Sequence, residues 1–369
     1  MAHVNYYCDA SAGSDSNNGL TTGAAFATVQ KAEDEIVAGT DGTAGTDSFT
    51  VYMKGTFDAG SSFVLSLGAN GGSFPITYEG YTTTPGDGGK CAWVTTGTYN
   101  AYGSRTGRRW RNIDCSGGGY WRSYGTGQII ENVTQTGGGY FTSGSYGVLI
   151  DVHLSGTTNG FYPHDGNLYV RCSSEVSTAN GAYPWTAQNY NRFVECLFAD
   201  NPVDIRTNGT GDITAINCTF AGATSHSIQP DASATGLYVF RNCSFTDSSG
   251  YAINTSTSGS QTIRADIRDC HFHNNSSGNI HADIMSDRDP TVGGDSIVTN
   301  LVTGDPSFTD AGAQDFSFAS GSPLENAVER TFFGTGTTTY RDIGAIQNEA
   351  GGGGGIAQTL HTIEAGISA

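Results

Sequence analysis

A small apolar residue recurs at a near-constant interval through the middle of this chain. From residue 172 onward that residue is always cysteine, and successive cysteines are separated by 24, 22, 25 and 27 residues. Upstream, the matching position carries two valines and another cysteine, at gaps of 20, 19 and 18 residues. The eight positions are Cys115, Val133, Val152, Cys172, Cys196, Cys218, Cys243 and Cys270. A fixed period of this length predicts a solenoid in which each repeat forms one coil.

The segments between these positions have the character of strands and turns. Short β-branched or aromatic runs are separated by Gly, Asn, Ser and Thr, without helical periodicity. One repeat can hold three short strands and three bends, and coils stacked about 4.8 Å apart form parallel sheets. The sequence therefore predicts an all-β fold, a single-stranded parallel β-helix.

The recurrent position is expected to point into the coil, where cysteine packs as a small hydrophobic residue. The residue before it is usually polar and suits a bend with a left-handed backbone. Stacked cysteines are close enough for a disulfide, but they point the same way, which makes the required dihedral awkward. A zinc site needs clustered ligands such as a Cys-x-x-Cys pair, and the sequence has none. We expect reduced, structural cysteines, while Cys8 and Cys91 lie outside the repeat and receive no role.

Composition and charge limit the partners of the chain. The 369 residues include 53 glycines, only 14% are charged, and the formal net charge is −18. No lysine follows Lys90, so the body lacks the basic stripe that a nucleic-acid groove requires. No apolar run is long enough to span a membrane. The opening MAHVNYYCDA lacks the basic start and apolar centre of a secretory signal, which predicts synthesis in the cytoplasm without a signal peptide.

The chain divides into regions of different character. The predicted regions are an N-terminal cap (1–48), the parallel β-helix (49–300), a C-terminal closing segment (301–349) and a tethered tail (350–369). The cap contains a predicted helix over residues 23–39, which ends at Gly39 and forms a lid on the first coil. Strands are predicted at 49–55 and 74–81.

The tail combines a glycine tether with an apolar pattern. GGGGG at 351–355 is flexible, and four apolar residues follow at spacings of 4, 3 and 4 residues. These residues are Ile356, Leu360, Ile363 and Ile367. The heptad-like pattern is too short for a stable isolated helix. We expect it to dock on a partner or to join copies of the chain, for example as a homotrimer, and a disordered end is the alternative.

The two ends of the chain carry characteristic stretches. YYCDASAGSDSNNGLTTGAAFATVQKAEDEI is followed by TVYMKG and PITYEGY, and GDPSFTDAGAQDFSFASGSPLENA is followed by RDIGAIQ. They cover residues 5–81 and 304–347 and resemble the opening and closing segments of the pectate-lyase-like right-handed parallel β-helix superfamily. The resemblance implies a right-handed coil. It leaves activity open, because the superfamily includes polysaccharide lyases, glycoside hydrolases, epimerases and catalytically silent bacterial and phage surface proteins.

Catalysis in this fold would need charged residues on the outward face that follows the recurrent position. A uronate lyase needs acidic ligands for Ca²⁺ and a base of lowered pKa, for which Asp200, Asp204 and Arg206 are the candidates. A glycoside hydrolase needs two carboxylates about 5–9.5 Å apart, which Asp204 could form with Asp200 or Asp231. A solvated strand edge with an internal Asp–Arg pair explains the same residues equally well, and no acid–base constellation stands out.

Aromatic pairs recur on four successive coils. Alternation places one residue of each adjacent pair inside and the other outside. Candidates for a glycan-binding or partner-binding stripe are Tyr120, Trp121, Tyr140, Tyr162, Tyr183 and Trp185. The nearby Arg108, Arg109 and Arg111 could bind an acidic glycan or an acidic patch on a neighbouring subunit. Core stacking of the aromatic residues and local arginine–aromatic contacts are the alternatives.

No cofactor or metal is assigned from the sequence. The loop GSDSNNG at 13–19 is loosely like a calcium loop but lacks the downstream Glu, so Asx turns explain it, with Ca²⁺ as the alternative.

The sequence predicts a non-catalytic structural or adhesive protein, a phage virion component such as a capsid decoration, fibre or tail protein. It would assemble with other virion or surface proteins and with itself through its tail and lateral faces, and it would bind surface glycans. The alternative is a polysaccharide lyase or glycoside hydrolase that acts on an acidic or cell-surface polysaccharide.

Overall fold

A computed structural model gives the chain the form of a parallel β-helix. The structure describes residues 2–43, 47–58, 76–95, 99–103, 106–123, 125–183, 190–209, 211–231, 234–254, 262–281, 297–310, 315–318, 321–324, 328–329 and 340–341. The coil has three faces, here called sheets A, B and C, which the chain visits in that order. Sheets A and B are joined in one 20-stranded sheet, and sheet C has 9 strands. The predicted all-β parallel solenoid is confirmed.

The strands of each sheet pair in parallel with the equivalent strands of the next coil. Sheet A contains His3–Asp9, Ser48–Lys54, Ile76–Tyr81, Leu168–Val170, Asn191–Val194, Ile213–Ile216, Thr235–Arg241, Thr262–Arg268 and Ile297–Thr299. Three longer strands, Arg108–Gly117, Ile129–Thr136 and Val148–Ser155, turn the corner and supply both sheets A and B. Sheet B adds Thr56–Asp58, Cys91–Thr95, Ser173–Glu175, Leu197–Ala199, Thr219–Ala221, Ser244–Thr246, His271–His273 and Val302–Thr303. Sheet C contains Tyr99–Gly103, Tyr120–Ser123, Phe141–Thr142, Asn159–Phe161, Asn180–Ala182, Val203–Thr207, His226–Pro230, Tyr251–Ile253 and Gly278–Ile280.

The corner between sheets A and B lies at the residue that precedes the recurrent small residue. Seven of these residues have a left-handed backbone, with φ between 50° and 56°. They are Asn132, Asp151, Arg171, Glu195, Asn217, Asn242 and Asp269. On the first of the eight coils the left-handed residue is Asn112, with a φ of 60°, and Ile113 rather than Cys115 pairs with Val133. The predicted bend is therefore confirmed on seven coils, and the assignment of Cys115 to the recurrent position is wrong by two residues.

The cysteines after this corner point into the coil. All eight cysteines of the chain are buried and free. The Sγ of Cys196 lies 3.5 Å from the carbonyl oxygen of Tyr169 on the preceding coil, and the Sγ of Cys218 lies 3.4 Å from that of Phe193. Burial raises the pKa of both thiols well above the usual range, so they remain protonated and serve as small packing groups with weak hydrogen bonds.

Aromatic rings fill the interior along the axis. On sheet B, the ring of Phe220 is stacked between those of Phe198 and Phe245, at centroid distances of 5.3 and 4.7 Å. The next ring, Phe272, lies 5.1 Å from Phe245. Because equivalent residues repeat in register, each ring meets a ring above and below it, and the core is a continuous column.

The N-terminal helix is shorter than predicted. It spans Val29–Ala38, and a short 3-10 turn at Thr22–Ala24 precedes it. The predicted start at residue 23 is wrong because the carboxylate of Asp15 accepts hydrogen bonds from the backbone N–H groups of Ala27 and Thr28 and holds them extended. Thr28 then caps the helix by accepting a hydrogen bond from the backbone N–H of Lys31.

The other end and the docking of the helix agree with the sequence pattern. Gly39, with a φ of 71°, ends the helix in a left-handed conformation as predicted. Val29, Ala32 and Ile36 are buried in the same core as the first strands. The solenoid itself begins earlier than the predicted boundary at residue 49, because His3–Asp9 already pairs in parallel with Ser48–Lys54.

The C-terminal segment folds back along the outside of sheet B. Phe308–Asp310 and Asp315–Phe318 form an antiparallel hairpin. Phe316 is buried against Ala199 and Ala221, which are outward residues of sheet B. We call this hairpin the C-terminal clamp, because it reaches from the last coil to coils that precede it.

Candidate functional site

Sheet C carries the aromatic pairs that the sequence singles out, and its alternation separates their members. Trp121, Phe141 and Phe161 are in register on neighbouring strands and are fully buried. The residue after each of them faces outward, because successive side chains of a strand point to opposite faces. From the N-terminal to the C-terminal coils, this outward row reads Arg122, Thr142, Tyr162, Tyr183, Arg206, Gln229, Asn254 and His281.

Four tyrosines and two arginines form a stack on this face. We call it the aromatic–arginine ladder, and its members are Tyr120, Arg122, Tyr140, Tyr162, Tyr183 and Arg206. The ring centroids of Tyr120 and Tyr140 are 4.6 Å apart, and those of Tyr140 and Tyr162 are 4.4 Å apart. The ring of Tyr183 follows at 6.0 Å from Tyr162. These distances are those of favourable aromatic pairs.

Arginines lie at both ends of the tyrosine stack. The guanidinium carbon of Arg122 is 4.9 Å from the ring centroids of both Tyr120 and Tyr140. That of Arg206 is 5.6 Å from the centroid of Tyr183. Cation–π attraction at these distances holds the rings and the guanidinium groups in one surface layer.

Part of this layer is open to solvent. Tyr120, Tyr140 and Tyr183 are half-buried, whereas Tyr162 is only 7% exposed. The ladder therefore presents tyrosine rings supported from beneath by other side chains, and Tyr162 acts mainly as their support.

Arg206 is held in place by Asp231. Its Nε donates to Oδ1 of Asp231 at 2.7 Å, and its side chain is 43% exposed. A guanidinium fixed by a carboxylate and an aromatic ring still has other N–H groups for a ligand oxygen. It is poorly placed to act as the proton-abstracting base of a lyase, because its Nε is already engaged by Asp231.

Asp204, predicted to face outward, lies inside the coil. Its side chain is fully buried, and Asn201 donates to its Oδ1 at 3.1 Å. Burial raises the pKa of Asp204 well above the usual range, against the lowering effect of hydrogen bonds from Asn201 and Ser227. The other oxygen, Oδ2, has no hydrogen-bond partner within the described part of the chain. A buried acid without a cation beside it is expected to be protonated and neutral.

A local break in alternation explains the wrong prediction for Asp204. Three consecutive residues at the start of its strand, Val203, Asp204 and Ile205, are all buried, and only Arg206 is partly exposed. The corner that precedes sheet C is lined on its inside by polar side chains. Asp204 accepts a hydrogen bond from one of them, Asn201.

The candidate catalytic residues do not form a common cleft. Asp200 is exposed at the corner between sheets B and C, where its φ is 53°. Asp231 follows the opposite end of the sheet C strands and binds Arg206. Asp204 is in the interior between them. The structure thus joins Arg206 with Asp231 and withdraws Asp204 from solvent.

The C-terminal coils continue the outward row with polar groups. The imidazole Nδ1 of His226 accepts a hydrogen bond from the backbone N–H of Tyr251 at 2.9 Å. That Nε2 is 3.1 Å from the side-chain amide of Asn254. Burial lowers the pKa of His226. The ring of His281 lies 5.0 Å from that of Tyr251. No motif in the sequence reveals this cluster, because its members come from three coils.

The predicted arginine group is divided between two environments. Arg108 is 1% exposed and forms a buried ion pair with Glu33 of the helix at 3.3 Å, so its assignment to a binding surface is wrong. Arg109 and Arg111 face outward from sheet A and pair with Glu131 and Glu79. Arg122 is the arginine of this region that reaches the tyrosines of sheet C.

Among the predicted aromatic site residues, Trp121 has no exposed surface. It stacks on Phe141 in the core, at a centroid distance of 5.1 Å, and cannot contact a glycan. Its large apolar side chain occupies the inward position of its pair, and Tyr120 the outward one. Trp185 and the tail residues Ile356, Leu360, Ile363 and Ile367 lie outside the described residues.

The described residues give no metal centre or membrane helix. Asp15 of the calcium-like loop accepts hydrogen bonds from Ala27 and Thr28. Among the residues that the structure describes, no group of three or more His, Cys, Asp or Glu could hold a metal ion. Within the same part of the chain, no helix is long and apolar enough to cross a membrane.

Comparisons with known proteins agree with the fold. A family model described as a right handed beta helix region matches residues 203–305. The chain is similar to the crystal structure of pectate lyase Pel9A, with 13% identity, a TM-score of 0.55, and 95% of this chain and 97% of that chain covered. It is also similar to a rhamnogalacturonan lyase, with 13% identity, a TM-score of 0.42, and 83% and 90% covered. A GH136 lacto-N-biosidase from Eubacterium ramulus has 11% identity, a TM-score of 0.39, and 82% and 68% covered. No curated protein matches the sequence.

The chain is therefore a right-handed parallel β-helix protein with the pectate-lyase-like fold. The fold is similar to that of pectate lyase Pel9A, and at 13% identity the likeness establishes the fold alone.

Proposed function

We propose that this protein is a non-catalytic adhesive β-helix protein that holds an extended polysaccharide along the outward face of sheet C. The observation that carries the proposal is the aromatic–arginine ladder, in which tyrosine rings and guanidinium groups are stacked into one surface. Tyrosine rings offer apolar faces for the C–H faces of sugar rings, and arginine N–H groups can bind hydroxyl or carboxylate oxygens.

The length of the outward row supports a polymer as the ligand. Eight successive coils contribute to the row between Arg122 and His281; Thr142, Tyr162 and Asn254 are buried, and the other five side chains are partly exposed. At about 4.8 Å per coil, the row extends over roughly 34 Å. A repeating polymer can make similar contacts on several coils, so that weak individual contacts add up along the chain.

The arrangement of the acids supports binding without cleavage. The alternative, a polysaccharide lyase or glycoside hydrolase, requires Asp204 to reach the substrate, and Asp204 is fully buried. Arg206, the candidate base, is already paired with Asp231.

A binding experiment on sheet C tests the proposal. The purified protein is titrated against a panel of neutral and acidic polysaccharides, and binding is followed by calorimetry or affinity electrophoresis. Replacement of the tyrosine ring in Tyr140→Ala or Tyr183→Ala is expected to weaken binding about tenfold, since a lost stacking contact costs roughly 1–1.5 kcal/mol. Arg122→Gln should have an effect of similar size.

A matched control separates the ladder from exposed tyrosines in general. Tyr146 is 63% exposed outside the strands of sheet C and has a φ of 55°, which asparagine tolerates. Tyr146→Asn should therefore bind as the wild type does. Equal loss in Tyr146→Asn and Tyr183→Ala, or no binding to any polysaccharide, contradicts the proposal. Release of reducing ends or unsaturated uronates by the wild type would show that the protein is an enzyme.

The setting that we propose for this role is the surface of a phage virion. The support is from the sequence: a glycine tether at 351–355 followed by an apolar pattern suited to docking on another virion protein. A chain that lacks residues 351–369 should fold, with an unchanged circular dichroism spectrum and melting temperature, but fail to attach to particles. Attachment of the truncated chain at the wild-type level would exclude this role for the tail.

A further inference from the structure

The outward face of sheet B is covered on its C-terminal coils. Ser244, Thr246 and His271 alternate with the stacked core rings of Phe245 and Phe272, so these three side chains point away from the interior. All three nevertheless have no exposed surface. Side chains that face outward and are fully buried must lie under another part of the chain.

The segment that follows the last coil contributes to this cover. The carbonyl oxygen of Pro306 accepts a hydrogen bond from the Oγ of Ser322 at 2.6 Å, which ties two parts of the segment together. Leu324 is 1% exposed, so the segment is packed rather than free in solvent. It includes the C-terminal clamp. We call the whole segment the strap, and its described residues are 304–310, 315–318 and 321–324.

His271 joins the strap to sheet B. Its Nε2 lies 2.8 Å from the carbonyl oxygen of Gly304 in the strap, and its Nδ1 lies 3.0 Å from the Oγ of Ser244 on the preceding coil. A carbonyl oxygen can only accept, so Nε2 carries a proton. In the neutral ring, Nδ1 then accepts from the hydroxyl of Ser244, and both nitrogens have a partner.

The surroundings of His271 favour the neutral ring. Burial lowers the pKa of His271 more than its hydrogen bond with the strap and the carboxylates of Asp305 and Asp247 raise it. The ring of His273, 6.4 Å away on the same strand, lowers the pKa further. The neighbouring strand Val302–Thr303 brings no titratable side chain. Protonation would therefore bury a charge under the strap, which favours a state in which the ring reaches water.

We propose that the strap is a pH-sensitive cover, closed over sheet B at neutral pH and released in acid by protonation of His271. In the released state the ring is in water, where its pKa is about 6.5. Because the closed state has the lower pKa, its stability is complete above about pH 6.5 and is lost as the pH falls toward that lower value. Release also uncovers the apolar outward residues Leu197, Ala199 and Ala221, on which the clamp packs. The proposal is independent of the role of sheet C.

Hydrogen exchange of the full chain, followed by mass spectrometry, tests the strap. Opening constants of peptides that cover Phe308–Asp310 and Asp315–Phe318 are compared at pH 7.5 and pH 5.5, after correction for the intrinsic exchange rates. The opening constant of the wild type should rise severalfold at pH 5.5, and by at most about tenfold, since one linked proton changes an equilibrium tenfold per pH unit. Strand Arg108–Gly117 should open equally at both pH values.

Two variants show whether His271 is the group that titrates. His271→Gln retains an N–H donor for Gly304 but cannot titrate, so the ratio of its two opening constants should be close to one. His273→Gln removes a half-buried histidine from the same strand and should retain the wild-type response. The proposal is overturned if the wild-type strap opens equally at both pH values, if His271→Gln responds as the wild type does, or if His273→Gln loses the response.

A direct titration keeps the test valid even if the strap of His271→Gln no longer closes. The imidazole C–H signal that disappears in this variant identifies His271 in the NMR spectrum of the wild type. Its titration is then followed in the wild type from pH 8 to pH 5. A midpoint below about 6.5 supports the proposal. A midpoint at or above that value shows that closure of the strap does not oppose protonation, and overturns it.

Discussion

Each coil turns from sheet A to sheet B at a single residue with a left-handed backbone. Asn and Asp tolerate this conformation, because their short polar side chains can bond nearby groups. Here they also bond each other along the axis: Asn132 donates to Asn112 at 2.9 Å, and Asn242 donates to Asn217 at 2.7 Å. The corner thus contributes hydrogen bonds between coils in addition to the bend.

The buried carboxyl of Asp204 should make stability depend on pH. Burial raises its pKa well above the usual range, so the folded chain retains a proton that the unfolded chain releases above about pH 4. Its contribution to stability is therefore complete below that pH and is lost as the pH rises toward the raised pKa. Asp204→Asn keeps the shape, supplies an N–H donor and cannot ionise. We expect the free energy of unfolding at pH 7 to increase by about 1–2 kcal/mol.

Urea unfolding at pH 4.5 and pH 7.5 measures this effect. The difference between the two pH values should become smaller in Asp204→Asn than in the wild type. Asp231→Asn is the matched control, because Asp231 is half-buried at the surface and pairs with Arg206, and its loss should cost at most about 1 kcal/mol. A variant Asp204→Asn that is less stable than the wild type at pH 7.5 would indicate an ionised, stabilising carboxylate.

At the scale of the helices and strands, the sequence predicts those features that depend on residues close together in the chain. The recurrent small residue correctly marked one inward position per coil, and Gly39 correctly marked the end of the helix, because both depend on neighbouring residues. The start of the helix depends on Asp15, a residue more than ten positions away whose carboxylate holds Ala27 and Thr28. No period in the sequence reveals such a contact.

The candidate site was also predictable only in part from the sequence. Adjacent aromatic residues identified the strands of sheet C, and alternation implied that one of each pair is outside. The sequence did not decide which one, because a bend at a strand start can shift the alternation by one residue. That shift buries Asp204 and leaves Arg206 outside. The stacking of Arg122 on Tyr140 joins neighbouring coils and follows only from their register.

At the scale of the whole molecule, a solenoid is stabilised mainly by contacts between adjacent coils. Each coil of this chain pairs with the coils before and after it, so coils near an open end have one neighbour fewer. The C-terminal clamp adds a contact of longer range. The clamp follows Gly304, whose carbonyl oxygen accepts a hydrogen bond from Nε2 of His271 at 2.8 Å, and it reaches Ala199 and Ala221. About four coil spacings, roughly 19 Å, separate its two attachment points.

The clamp should couple the stability of the last coils to that of the middle of the molecule. Phe316 is the buried anchor of the clamp, and its ring lies 5.3 Å from that of Phe308. Phe316→Ala removes that anchor, at a cost of about 3–4 kcal/mol where the contact is made. We expect faster hydrogen exchange in strands His271–His273 and Val302–Thr303, measured by mass spectrometry of peptides, and unchanged exchange in Arg108–Gly117. Phe57→Ala is the matched control, because Phe57 is buried near the N-terminal end of sheet B, and it should have the opposite distribution. If Phe316→Ala instead lowers protection equally in all coils, the solenoid unfolds as a single cooperative unit, and the clamp is not what secures its C-terminal end.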